Sequence, residues 1–127
     1  MLKTGILNPQ INELLSRVRH TNTLVIADRG FPFWPQIETI DIALIDDIPT
    51  VLNVLQSLLP NFKVGSVWMA EEFRQVNMPE VIEQFVDTLP VILWLPHVAL
   101  KQRVPSAIGL IRTGDTTQYA NVILESA

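Results

Sequence analysis

The sequence contains no cysteine. Disulfides, thiolate nucleophiles and cysteine-based zinc sites are therefore excluded together. Charged residues make up only 17% of the 127 positions, the formal net charge is −4, and no basic cluster is present. Nucleic acid is accordingly not expected as a partner. No apolar run approaches the roughly 18 residues a spanning helix needs, and Met1-Leu-Lys-Thr leads into Gly5 and polar residues rather than a signal-peptide core. No membrane contact is expected, and the expected location is cytoplasmic. The only two histidines, His20 and His97, are too far apart for a helical metal motif. A dinucleotide-binding glycine motif, a phosphate-binding loop and a Gly-x-Ser-x-Gly elbow are also missing, which removes the main support for nucleotide-cofactor and serine-hydrolase chemistry.

What the chain has in quantity is apolar side chains, 48% of the total. That share is rich for a single domain of this size, whose surface is large relative to its volume. The surplus is read as subunit interface, so a homo-oligomer is expected.

The stretch from His20 to Gly30 places a short β-branched strand, Thr23 to Ala27, between a histidine at its entry and Asp28 at its exit. Imidazole and carboxylate bracketing a core strand make a candidate acid–base unit. Before it, Asn8-Pro9 opens a helix with Ile11, Leu14, Leu15 and Val18 on one face. That helix is expected to end near His20, where the C-terminal dipole would favour imidazolium; the plainer reading is a histidine capping the last carbonyls. After the strand, Phe31-Pro-Phe-Trp-Pro35 is a rigid aromatic loop. It suits either the wall of a small-molecule pocket or a subunit contact.

Ile40 to Ile45 reads as a second strand. Asp47 is the expected cap of a helix bearing Val51, Leu52, Leu55, Leu58 and Leu59, and the Asp46-Asp47 pair is read as that helix start rather than a metal site. Lys63 to Ala70 is a third strand interrupted by Gly65 and followed by Glu71-Glu72. Met78-Pro79 starts a helix with Val81, Ile82, Phe85, Val86 and Leu89 inward. Val91 to Leu95 is a continuous apolar run, as in a strand covered on both faces.

Pro96 begins a short helix placing His97 and Lys101 at i, i+4 on one face. Two cationic groups there would lower each other's pKa unless an anionic or polyhydroxylated ligand lies between them; a solvated basic face is the alternative. Ala107 to Arg112 and Tyr119 to Leu124 are the last strands, joined by a polar turn. Tyr119 and Asn121, two apart, would share a face and offer donors and acceptors to sugar hydroxyls, unless they are an ordinary strand end. The alternation of strands and helices points to a three-layer α/β/α single domain around a mixed, largely parallel sheet. Ligands collect beyond the carboxyl ends of strands in such sheets, and Asp28 and Glu71 both lie there.

Taken together, Leu7-Asn8, His20 through Asp28, Gly30, Pro32, Ile40 through Leu44, Met69-Ala-Glu71-Glu72, Ile111-Arg-Thr-Gly-Asp115 and Tyr119-Ala-Asn121-Val-Ile-Leu124 resemble the D-ribose pyranase (RbsD/FucU) family of sugar-ring isomerases. The resemblance implies one RbsD-like domain over residues 1–127. It also implies an isomerase that interconverts cyclic forms of a monosaccharide, D-ribose foremost, with no cofactor and no metal. His20 then matches the catalytic acid–base residue, and Asp28 its charged partner beside the sugar. Tyr119 and Asn121 match the sugar-binding pair, and His97 and Lys101 the ligand contacts of the ribose branch. Pentameric rings, or decamers of two rings, with a site shared between neighbouring subunits, are implied as well.

Three departures stand out: Arg29 in place of a small residue, where it would lower the pKa of Asp28; the bulky aromatic loop; and a weaker, shorter match from Phe62 to Trp94. A monosaccharide-binding accessory without catalysis and a purely structural ring protein are the other functional classes.

Overall fold

A computed structural model describes all 127 residues. The elements in chain order are α1 (Pro9–Arg17), β1 (Thr23–Ala27), β2 (Glu38–Asp41), α2 (Val51–Leu58), β3 (Val64–Ala70), α3 (Glu71–Val76), α4 (Pro79–Thr88), β4 (Ile92–Leu95), α5 (His97–Arg103), β5 (Gly109–Arg112) and β6 (Val122–Ser126). The strands form one six-stranded sheet in the order β2-β5-β1-β6-β3-β4. β6 runs antiparallel to both of its neighbours, and every other pairing is parallel. Five strands therefore point the same way, and their carboxyl ends share one edge of the sheet with the start of β6.

The period-2 alternation of β1 sorts its side chains onto two faces. Leu24 and Ile26 join Leu14, Leu55, Phe73 and Phe85 in a core beneath α1 to α4. Val25 and Ala27 face the other way, into a smaller core with Phe31, Leu100, Val104 and Ile123 beneath α5 and the aromatic loop. The expected three layers are present, unequal in thickness. No helix is long and apolar enough to cross a membrane.

Several local expectations change. α1 begins as expected, with Asn8 Oδ1 accepting from the Ile11 N–H, but ends at Arg17. His20 lies beyond it, in a turn where Thr21 has φ 67°, and the Arg19 guanidinium, not His20, takes the carbonyls of Ser16 and Val18. α2 is capped by Thr50 in a reciprocal pair with Asn53, not by Asp47. Asp47 instead sits at φ 63° and accepts from the N–H and hydroxyl of Thr116. β2 occupies 38–41 rather than 40–45. β4 is an edge strand, not one covered on both faces: Val91 is 85% and Leu93 47% exposed. Val86, expected inward on α4, is likewise exposed. Glu71-Glu72 opens the short helix α3, which apolar spacing did not reveal.

Candidate functional site

Strand β1 delivers Asp28 to the carboxyl edge of the sheet, and the residues before β6 meet it there. The Asp28 backbone N–H donates to Asn121 Oδ1 at 2.8 Å, and Asn121 Nδ2 donates to Asp28 Oδ2 at 3.0 Å. Asp28 Oδ1 accepts from the Gly30 N–H at 2.9 Å, a turn in which an aspartate side chain bonds the backbone two residues on. Both carboxylate oxygens are thus held by donors. Burial nevertheless pushes the Asp28 carboxyl up from the ordinary carboxylate range; the Asn121 and Gly30 hydrogen bonds oppose it, and the nearby Asp115 carboxylate adds to the rise.

The edge-strand end of β4 feeds α5, whose first residue is His97. Its backbone N–H donates to both Glu72 carboxylate oxygens, at 3.0 and 3.1 Å. The imidazole packs nearly perpendicular to the Tyr119 ring, centroids 5.0 Å apart, and to Phe31, 6.3 Å away. Its Nδ1 is buried without a hydrogen-bond partner. Burial first, and Lys101 second, lower the pKa of His97, against the opposing pull of Glu72 and Asp28.

These pieces enclose a cleft of about 310 Å³ lined by Asp28, Gly30, Phe31, Pro32, His97, Gln118, Tyr119 and Asn121. A second hollow of about 180 Å³, lined by no hydrophobic residue, adjoins it through Asp28, Gly30 and Gln118. Of the six side chains singled out from sequence, Asp28, His97, Tyr119 and Asn121 line the cleft. Lys101 stands one helical turn behind His97, near enough to act on its charge. His20 is exposed at the opposite end of β1, where the Thr21 N–H joins the Ser126 carbonyl. A single chain therefore does not bring His20 and Asp28 together.

Tyr119 and Asn121 do share the cleft, but not as strand neighbours. β6 starts at Val122, and Tyr119 sits at φ 57°. Asn121 is only 2% exposed, and its carboxamide is engaged with Asp28. Arg29 does not act on Asp28 as expected; its Nη1 lies 2.5 Å from Asp46 Oδ1, outside the cleft. Phe31 is the loop aromatic that reaches the cleft, whereas Phe33 is exposed. Gln118 and Glu72 were not found by sequence reasoning. Glu72 left a trace, as an acidic residue at a strand end; Gln118 left none, because a lone glutamine in a polar turn has no pattern.

An α/β domain with a small polar cleft at the carboxyl edge of its sheet, walled by imidazole, carboxylate, phenol and amides, is the architecture of a site for a small hydroxylated molecule. The chain belongs to the RbsD / FucU transport protein family, whose model matches residues 1–127. It is 38% identical to the D-ribose pyranase of Geobacillus kaustophilus over 99% of this chain and 93% of that one. Against the D-ribose pyranase of Halalkalibacterium halodurans the identity is 39%, covering 99% and 97%. Among solved structures it is similar to Bacillus subtilis RbsD complexed with D-ribose, with a TM-score of 0.92 and 32% identity over 100% of this chain and 98% of that one. The Streptococcus pneumoniae fucose mutarotase in complex with L-fucose shares the fold, with a TM-score of 0.83 at 20% identity over 99% and 98%. The stretch from Phe62 to Trp94 falls inside the family match.

Proposed function

We propose that this chain is an isomerase that interconverts cyclic forms of a monosaccharide, D-ribose foremost, by acid–base-assisted ring opening. Opening takes a proton from the anomeric hydroxyl and gives one to the ring oxygen as the carbon–oxygen bond breaks. Closure through another hydroxyl, or onto the other carbonyl face, returns both protons. The observation that carries this reading is the Asn121-clamped Asp28 facing His97 and Tyr119 across one sugar-sized cleft. The D-ribose pyranases similar over nearly the whole chain support it.

In this reading Asp28 grips a sugar hydroxyl and steadies developing positive charge, Tyr119 and Asn121 fix the sugar, and His97 completes the wall with Lys101 one helical turn behind it. His20 passes a proton, and it comes from a neighbouring copy, since its own Asp28 is at the far end of β1. The protein is then a homo-oligomer, a pentameric ring or a decamer, with its site at the subunit interface. Exposed Val91, Leu93 and Val98 supply apolar surface for such contacts. A cytoplasmic location belongs to the same reading, in keeping with a fold that relies on no disulfide.

Magnetisation-transfer NMR on ribose, following pyranose–furanose exchange with fucose as comparison, tests the activity. Faster ribose exchange than in buffer is expected; no acceleration of either sugar overturns the reading, and binding without acceleration marks an accessory protein instead. His20→Ala should abolish the acceleration while the assembly persists, and full retained activity would remove His20 from its role.

A further inference from the structure

Ring opening moves two protons, and a single imidazole at one side of the sugar serves one of them. Resting on the isomerase reading above, we propose that His97 is the second proton carrier: its Nε2 takes the anomeric proton on opening and returns it on closure.

The geometry singles out this nitrogen. Nδ1 is buried with no partner, which leaves Nε2 as the nitrogen available to the cleft. Nothing in the chain hydrogen-bonds Nε2. The other polar groups there are committed or unsuited. Asp28, held by Gly30 and Asn121, grips a sugar hydroxyl in the isomerase reading, and an amide or phenol hydroxyl donates and accepts without changing charge at neutral pH.

A base must rest neutral. For Nε2 to accept a proton the neutral ring carries its one hydrogen on Nδ1, and burial of the ring disfavours the charge that a second would bring. The charged groups around the ring act in the same balance: Lys101 on its own helix disfavours imidazolium, while Glu72 from α3 and Asp28 from β1 favour it. Neutral imidazole therefore rests in the cleft, and Asp28 is close enough to stabilise the imidazolium formed during turnover. Glu72 fixes the position of His97 through the backbone N–H and leaves the ring free.

The protons balance. On opening, His97 Nε2 gains the anomeric proton while the other carrier protonates the ring oxygen, the C1–O bond breaks and C1=O forms. On closure the attacking hydroxyl gives its proton to that other carrier, and His97 reprotonates the carbonyl oxygen as the new C1–O bond forms. Both carriers end in their starting states, and nothing is oxidised or reduced.

The test measures ribose binding and NMR exchange rates between pH 5 and 9 for the wild type, His97→Gln and His97→Ala, the last with and without added imidazole. Expected for His97→Gln is binding within about threefold of wild type, exchange slowed about 100-fold or more, and loss of the wild-type rate rise with pH. Imidazole should restore part of the exchange in His97→Ala. Exchange within a few-fold of wild type in His97→Gln, or slowing explained wholly by lost binding with no rescue, overturns the proposal and leaves the isomerase reading standing. A wild type that does not accelerate exchange overturns the isomerase reading itself.

Discussion

Asn121 commits both ends of its carboxamide to Asp28, and this pair sets the chemistry at the residue scale. Replacing Asn121 with Ala leaves the part-buried Asp28 N–H without an acceptor and Asp28 Oδ2 without its donor. The expected cost is about 1–3 kcal/mol in urea unfolding, together with slower sugar exchange. Asp28 itself has a raised folded-state pKa, caused by burial. A carboxyl with a raised pKa stabilises the fold below its unfolded value, near 4, and that contribution is lost as pH rises through the folded value. Asp28→Asn should therefore raise the urea midpoint relative to wild type at pH 7, with the advantage vanishing near pH 4, while sugar exchange falls. A midpoint difference that does not change with pH would contradict this. His20, Asp28, His97, Tyr119 and Asn121 were each legible as chemical candidates because their types are rare in apolar surroundings. The direction of the Asp28–Asn121 bond was not, since it depends on two segments 93 positions apart.

Segments rather than single side chains decide how the carboxyl edge is built. The turn after β5 locks onto the loop before α2: the Gly114 N–H donates to the Pro49 carbonyl, and buried Asp115 accepts from the Val51 and Thr117 N–H groups. A Cβ on Gly114 would stand 2.3 Å from the Ile45 carbonyl oxygen. Gly114→Ala should cost about 1–3 kcal/mol by overpacking, read by thermal or urea unfolding, and should disturb the cleft because Arg29 and Thr116 hang on the same turn. Apart from α3, helix and strand existence followed from apolar spacing and from Asn8-Pro9 and Met78-Pro79 at helix starts. The misplacements share a cause. Asp47 carries a capping residue type, but Thr50 takes that place because Asn53 reciprocates, and Thr116, remote in sequence, captures Asp47. Tyr119 reads as strand by composition, yet its backbone turns back to present the ring to His97.

For the whole molecule, the opposite placement of His20 and Asp28 along β1 has a measurable consequence if the site is shared between copies. Light scattering should give a mass several times the 14.3 kDa of one chain. His20→Ala and Asp28→Asn proteins, each inactive alone, should recover exchange when unfolded and refolded together. Random pairing across a cyclic interface leaves about one quarter of the sites with both groups intact. No recovery from well-assembled mixtures would place the two residues in separate functions. The apolar surplus in the composition has a counterpart in the exposed apolar side chains of β4 and its flanks.

By itself the sequence determined the layered α/β class, the family and the residues able to carry protons or grip hydroxyls, because periodicity and side-chain chemistry are local properties. Only the tertiary structure decided which of them meet. The parallel run of five strands gathers Asp28, Glu72 and His97 at one edge, the reversed β6 returns Tyr119 and Asn121 to it, and the length of β1 carries His20 away.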